Sequence, residues 1–274
     1  MPNRTIYRIF KKGSRTYFYN SIFFPKEKRE EVFVLYSFVR KADNMVDSFP
    51  QRIDEFYKLK RDYKRARAGE VTGDIVVDSF SELVDKKNFE EKWVTSFLES
   101  MEMDLTNNKY EDFCELDKYI FGSAEVIGLF MARILDLRDE ALPHARILGK
   151  AMQYINFIRD IPEDLTLNRR YIPLSELRKK GLYSLEYDEV MLNTSGFKDL
   201  VRDQIDIYYG WQNYAERGFK YIPKRLLIPI KNASEMYKWT GKIIYRDPMV
   251  VFKKKVKPSK TRIVLNIGYN TITA

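Results

Sequence analysis

The chain reads as all-α, and three observations predict it. Apolar residues recur at three- and four-residue spacing over long stretches, and no stretch sustains the two-residue alternation of a half-buried strand. Only 12 glycines occur in 274 residues, few for a fold built on repeated β-turns or phosphate-cradling loops. Hydrophobic residues make up 45% of the chain, which supplies a core and argues against wholesale disorder. No internal repeat, low-complexity tract or Ser/Gly-rich linker divides the sequence, so residues 1–274 are read as one domain.

Pro25 suits the first turn of a helix, and the patterning that follows runs to about Ser48, where Pro50 stops it. A charged helix is predicted over Arg52 to Ala68, with a loop around Gly69 to Gly73. Helices follow over Ile75 to Asp85, Phe89 to Leu105, Glu111 to Leu137, Leu142 to Asp160 and Lys198 to Tyr221. A last long helix starts after Pro223 and reaches about Tyr245, and Asn168 to Pro173 reads as a loop.

Composition excludes several chemistries. Cys114 is the only cysteine, so there is neither an intrachain disulfide nor a cysteine-built zinc cluster; it is expected on a helix, facing the core. His144 is the only histidine, which disfavours a serine or cysteine hydrolase with a histidine base. A metal site must therefore be made of carboxylates, and oxygen ligands favour magnesium, manganese or calcium over zinc. The N-terminus, Met1 to Arg15, is basic but lacks the apolar centre of a secretory signal. No apolar run approaches the roughly 20 residues of a membrane span. A cytoplasmic protein is expected, touching membranes peripherally at most. The charge balance, 48 basic against 39 acidic residues, gives +9, and much of the excess lies in Lys253, Lys254, Lys255, Lys257, Lys260 and Arg262. A solvated lysine-rich surface accounts for most of it, and composition alone does not choose among nucleic acid, membrane and phosphorylated substrate.

Two predicted helices carry polar stripes in unusual places. Between Glu30 and Ser48, at about 100° per residue, Val32, Leu35, Val39, Ala42 and Val46 form an apolar face. Glu30, Ser37, Lys41, Asn44 and Ser48 lie opposite and are expected to be solvated. Tyr36, Arg40, Asp43 and Asp47 form a third stripe within an arc of about 60° that borders the apolar face, where it would line a cleft. Alone, this stripe is better explained as a salt-bridge network between Arg40 and the two aspartates. The helix from Leu142 to Asp160 shifts the balance, because apolar residues cover most of its circumference and Gln153, Asn156 and Asp160 break that cover along one stripe. Asp164 continues the stripe if the register persists. Acids on a buried helix cost several kcal/mol or turn neutral unless a cation relieves them. Two facing Asp-x-x-x-Asp pairs would suit several hard cations bridged by substrate phosphates. Pro162, between Asp160 and Asp164, should kink or end the helix, which leaves open whether these acids share a face; a new turn beginning at Pro162 would still fold Asp164 back. In the helix Glu111 to Leu137, Gly122, Ser123, Ala124 and Gly128 permit close helix packing, the commoner use, or room for an apolar ligand. Glu125 is an acid in an apolar stretch with no partner assigned.

These blocks resemble the squalene and phytoene synthase family. Gly13 to Phe18 with Phe24-Pro25 is similar to its amino-terminal motif, and Tyr36 to Asp47 to its first aspartate-rich motif. Met101 to Leu105 and Tyr119 to Gly128 match the intervening helices; Gly149 to Asp164 is similar to the second acidic motif, and Arg169 to Leu174 to the loop after it. Tyr237 and the run Val251 to Val256 fit near the end, so the similarity spans nearly the whole chain in order.

The resemblance, most marked to phytoene synthases, implies a single-domain isoprenoid-synthase fold with helices around a central apolar channel. It implies a prenyltransferase that joins two prenyl diphosphates head to head, geranylgeranyl diphosphate first among them, through a cyclopropyl diphosphate to phytoene. Asp43, Asp47, Asp160 and Asp164 would bind magnesium, or manganese. Ser14, Arg15, Arg40, Arg169, Tyr171 and Lys255 would contact diphosphate, and Tyr36, Tyr119, Gln153, Asn156 and Tyr237 would line the reaction zone. No NADPH is expected, since no Gly-rich dinucleotide fingerprint is visible. Glu125 stands where the family usually has glycine, and Ile120-Phe121 replaces a more usual Cys-Tyr pair, so channel length and the choice of C15 or C20 substrate stay open. Squalene or dehydrosqualene synthesis from C15 units is the nearest alternative. A basic helical binder of nucleic acid or membrane surfaces explains the net charge but leaves the acidic stripes without purpose, and no nucleic-acid partner is expected. An inactive partner subunit is disfavoured by the intact acids, and the oligomeric state is not legible.

Overall fold

The computed structural model describes residues 4–13, 18 and 20–273. Its first half contains α1 (Arg4–Gly13), α2 (Lys26–Val46), α3 (Ile53–Arg67), α4 (Ile75–Lys86), α5 (Glu91–Thr106) and α6 (Phe113–Ile120). A π-helical turn, Phe121–Glu125, joins α6 to α7 (Val126–Ile134). Then come α8 (Leu142–Arg159), α9 (Ile161–Thr166), α10 (Leu174–Lys179), α11 (Tyr187–Leu192) and α12 (Thr194–Glu216). The chain closes with α13 (Lys224–Arg246), α14 (Val250–Lys253) and α15 (Lys260–Thr273). Among the described residues there is no strand, only an isolated bridge between Lys109 and Arg170. The expected all-α, single-domain class is what forms.

Two apolar cores flank the middle of the bundle. One gathers α2 to α5 and α7, where Phe38 stacks on Phe80 with ring centroids 3.9 Å apart. The other gathers α6, α8, α12 and α13 around Tyr154, Phe197 and Tyr208. Helix α8 lies between them and packs most extensively on α12, then on α7 and the π-helical turn. That position explains why its sequence is apolar nearly all round.

Several local expectations change. Helix α1 was not foreseen; Ile6 and Phe10, four residues apart, bury one of its faces. It covers Ser37, expected in solvent, whose hydroxyl is buried and donates to the carbonyls of Phe33 (2.7 Å) and Ile6 (3.1 Å). Lys41, on the same stripe, is tied to Asp74 of the neighbouring loop. Cys114 does not face the core but is exposed. The stretch Glu111 to Leu137 is not one helix. It starts at Phe113, capped by the Asp112 side chain, widens into the π-helical turn and ends at Ile134. Helix α12 begins four residues before the expected Lys198, where the Asn193 side chain accepts from the Gly196 amide at 3.0 Å.

The π-helical turn sits where two backbones nearly touch. A methyl group built on Gly122 would lie 2.0 Å from the Ser96 carbonyl oxygen and 2.2 Å from the Ser100 hydroxyl oxygen. Helix packing, rather than ligand space, is the use this glycine serves. Gly122→Ala should therefore destabilise the fold by about 1–3 kcal/mol, read by denaturant unfolding; an unchanged midpoint would contradict the packing account.

Candidate active site

The two acidic pairs come from the ends of α2 and α8. Asp43 lies in the last turn of α2, and Asp47 caps it, its amide donating to the Asp43 carbonyl at 2.9 Å. Helix α8 stops at Arg159, and Asp160 is both its C-cap and the N-cap of α9. Pro162 falls in the first turn of α9, where a missing amide costs nothing. The Asp164 amide donates to the Asp160 carbonyl at 2.9 Å, so the proline ends one helix and the new turn folds Asp164 back.

Arg169 links the two pairs. Its amide donates to the Asp164 carbonyl at 2.8 Å. Its guanidinium, buried, donates to Asp47 Oδ1 at 2.5 Å and to the carbonyls of Val46 (2.8 Å) and Asp104 (3.2 Å). Arg40, expected to bridge Asp43 and Asp47, forms an ion pair with Asp43. On the other side, Arg159 Nε donates to Asp160 Oδ1 at 2.8 Å, and Lys255 lies 3.2 Å from the same oxygen while also pairing with Glu163.

The carboxylates feel one another across the gap. Burial, then repulsion from Asp47, pushes Asp43 up to about 7 against the pull of Arg40. Burial, then Asp160 and Asp47, pushes Asp164 up to about 8. Asp160 behaves differently. Burial alone would raise it, but the paired Arg159 and Lys255 outweigh burial and hold it below the ordinary carboxylate range. Asp104 is raised by burial to about 6 although Arg169, Tyr119 and Tyr171 favour its charged form. Both tyrosine hydroxyls donate to Asp104, each at 2.8 Å. Tyr119 and Tyr171 thus sit behind the acidic pairs, stacked with ring centroids 5.2 Å apart.

Asp104 was quoted within a family block but not as a site residue. Its signal was present: Phe97, Met101 and Asp104 follow one another at +4 and +3 on the buried face of α5. Arg159 and Lys257 were also missed as part of the charged surroundings. Lys257 is brought down to about 8 by burial and by its neighbours Arg159 and Lys255. Ser14 and Arg15 lie outside the described residues.

The donor set fits a hard divalent cation. It consists of carboxylate oxygens, two of whose owners, Asp43 and Asp164, gain from added positive charge. Among the described residues no three ligating side chains are gathered tightly enough to hold an ion unaided. Open carboxylate pairs suit magnesium, which keeps waters and takes further oxygens from a phosphorylated substrate.

An apolar cavity of about 250 Å³ lies between the helices; its lining reaches Val39 and Gln153, four and seven residues before Asp43 and Asp160 on the same helices. Leu35, Tyr36 and Val39 of α2 form one wall, Leu148, Met152 and Gln153 of α8 another, and Ile127, Met131 and Leu135 close in from α7. Val32 and Ala145 also line it. Each stands 15 residues before an acid of its own helix end, Asp47 and Asp160, a run of about 22 Å at helical rise. Tyr36 and Gln153 therefore belong to the cavity, while Tyr119 and Tyr171 belong to the carboxylate shell. Tyr237 is buried beside Arg159, and Asn156 leaves its Oδ1 buried with no hydrogen-bond partner among the described residues. Glu125 turns away from the cavity; Arg146 Nε at 3.0 Å and Lys150 Nζ at 3.6 Å are its partners.

A helical bundle closed around an apolar channel, with paired aspartates at one end, defines the isoprenoid-synthase fold. Two solved structures share it: a dehydrosqualene synthase in complex with ligand (TM-score 0.84, 20% identity, covering 98% of this chain and 94% of that one) and a squalene synthase from Alicyclobacillus acidocaldarius (TM-score 0.79, 23% identity, 88% and 92%). Residues 10–262 match the squalene/phytoene synthase family, and the chain belongs to it. The 15-cis-phytoene synthase of Pantoea ananas is 27% identical over 84% of this chain and 78% of its own length; that of Synechocystis is 26% identical over 88% and 76%. The reading as a phytoene-synthase-like prenyltransferase of this family holds.

A pH dependence follows from the raised acids. Asp43 and Asp164 titrate higher in the folded chain than in the unfolded one, so their contribution is fully present at low pH and is lost as pH rises through about 7 to 8. Without metal, the melting temperature should fall between about pH 5 and pH 8.5. Millimolar magnesium should restore more at pH 8 than at pH 5.5. Equal increments at both pH values would contradict this electrostatic picture.

Proposed function

We propose that the chain, acting as one domain over residues 1–274, condenses two prenyl diphosphates head to head, geranylgeranyl diphosphate being the preferred substrate and phytoene the product. The observation that carries this reading is that two mutually repelling aspartate pairs stand at the ends of the two helices, α2 and α8, that wall an apolar cavity. The site pairs a charged end for diphosphate with an apolar space for prenyl chains. The curated relatives named as phytoene synthases support C20 substrates.

Asp43 and Asp47 on one side, and Asp160 and Asp164 on the other, would hold magnesium (manganese is the next candidate), whose positive charge would offset the charge that develops on departing diphosphate. The remaining tasks belong to the protein itself. Arg40, Arg169 and Lys255, together with Ser14, Arg15 and Tyr171, are the proposed diphosphate contacts; their cations exchange present partners, such as Asp43 and Asp160, for phosphate oxygens. Departure of the first diphosphate leaves an allylic cation. The second substrate's double bond attacks it, and proton loss closes a cyclopropyl diphosphate. A second ionisation and rearrangement then form the central bond, and a terminal proton loss completes the hydrocarbon without NADPH.

Tyr36 faces this zone with a ring that stabilises a cation without capturing it. Gln153 borders the same space, and Asn156 and Tyr237 line its charged end in this proposal. Asp104, held by Tyr119 and Tyr171, sets the position of the carboxylate wall from behind. The apolar lining excludes water, which would quench the cations. No described helix is long and apolar enough to cross a membrane, and contact with lipid is proposed as peripheral.

Asp43→Ala and Asp160→Ala should each lower turnover by roughly a hundredfold or more while the far-ultraviolet dichroism stays helical. Purified protein supplied with C15 or C20 diphosphates and magnesium, with and without NADPH, should release phytoene from the C20 substrate, identified by mass. Wild-type-like turnover in either variant, or squalene formed only with NADPH, would overturn the assignment.

A further inference from the structure

Helix α15 is clothed on the wrong side for a helix that meets water. Its inner face is docked: Ile263 and Ile267 pack on Met236, Asn266 Nδ2 donates to Asn232 Oδ1 at 2.7 Å, and Asn270 Nδ2 donates to Glu235 at 2.6 Å. At about 100° per residue, Val264, Leu265 and Tyr269 fall on the opposite side within about 140°. They are 50%, 69% and 63% exposed. A solvent-facing stripe of a docked helix ordinarily carries charge; from Ile263 onward this one has none.

The chain leading into that helix is strongly cationic. Residues 248–274 contain Lys253, Lys254, Lys255, Lys257, Lys260 and Arg262 and no aspartate or glutamate. Arg262 is stacked over the Trp239 ring at 4.8 Å, at the flank of the apolar stripe. Lys255 lies 3.2 Å from Asp160, so the strap begins at the acidic end of the site. Lys260 follows Lys255 by five residue steps, at most about 17 Å of chain.

We propose that the outward face of α15, with the cationic strap that precedes it, docks the protein on an anionic lipid bilayer. An apolar stripe flanked by lysine and arginine is what lies in the headgroup region of such a surface. Nucleic acid would use the cations but leave Val264 and Leu265 without purpose. A second copy seated symmetrically would bring two such cation-rich straps together. The inference rests on the proposed function in one respect: prenyl substrates and a hydrocarbon product partition into lipid, and the strap places the site beside it.

The test is cosedimentation with vesicles of phosphatidylcholine alone or with 30 mol% phosphatidylglycerol, alongside turnover of detergent-dispersed substrate. Partitioning onto the mixed vesicles should exceed that onto phosphatidylcholine by about tenfold or more and should weaken with salt. Leu265→Glu should lose about tenfold or more of that binding and keep its detergent turnover; Lys254→Glu combined with Lys260→Glu should lose binding to the mixed vesicles. Leu192→Glu, altering an exposed leucine on α11 (87% exposed), should bind like the parent. Absence of vesicle binding, equal binding by Leu265→Glu, or a Leu265-dependent dimer in ultracentrifugation without lipid binding would each overturn the proposal. Vesicle binding by protein that turns over no prenyl diphosphate supports docking and counts against the enzymatic reading instead.

Discussion

Arg169 holds together two helix ends that would otherwise repel each other. Asp47 caps α2, Asp164 sits in α9, and both stand with Asp104 in a region where burial strengthens every charge interaction. The guanidinium reaches Asp47 and two backbone carbonyls, and its own amide binds the Asp164 carbonyl. One residue thus sets the separation of two acidic pairs that lie more than a hundred residues apart in sequence. The repulsion is only partly neutralised: Asp43 and Asp164 remain raised, whereas Asp160 is held low by Arg159 and Lys255. Added positive charge would relieve this repulsion.

The rest of the bundle supports that arrangement. Helix α8 supplies Gln153 and Met152 to the cavity wall and ends at Asp160, so one rigid element spans the apolar and charged halves of the site. Helix α2 does the same with Tyr36, Val39 and Asp43. Behind them, the close approach of the π-helical turn to α5 leaves no room for a side chain at Gly122. Tyr119, two residues before that turn, and Tyr171, two residues after Arg169, both end on Asp104. Both of these proposed site tyrosines donate a hydrogen bond to the same buried acid.

Long-period patterning made the fold class legible, because helices that face a core on one side and water on the other repeat their apolar residues at 3.6. It failed where tertiary contacts rather than local pattern decide the outcome. Ser37 looks solvated on α2 because nothing within α2 reveals that α1 will cover it. The break at Phe121–Glu125 depends on the approach of Ser96, 26 residues before Gly122 in the chain, and Cys114 lies on a helix too short to show its buried side by period alone. The acidic pairs were legible as spacing, and the restart at Pro162 as one of two outcomes. Their convergence was expected from the facing stripes and the family resemblance, but the way Arg169 ties Asp47 to the Asp164 carbonyl was not visible, since the resemblance cast it only as a diphosphate contact. Glu125 lacked a visible partner because Arg146 and Lys150 belong to another helix.

The central claim is that both aspartate pairs share divalent ions with one substrate. The most direct measurement is a crystal structure with manganese and an unreactive prenyl thiodiphosphate, read by anomalous scattering. The account predicts metal peaks within bonding distance of carboxylate oxygens from the Asp43/Asp47 pair and from the Asp160/Asp164 pair, with the prenyl chain running back past Tyr36 and Gln153. Metal bound elsewhere, or thiodiphosphate seated away from these acids, would contradict it.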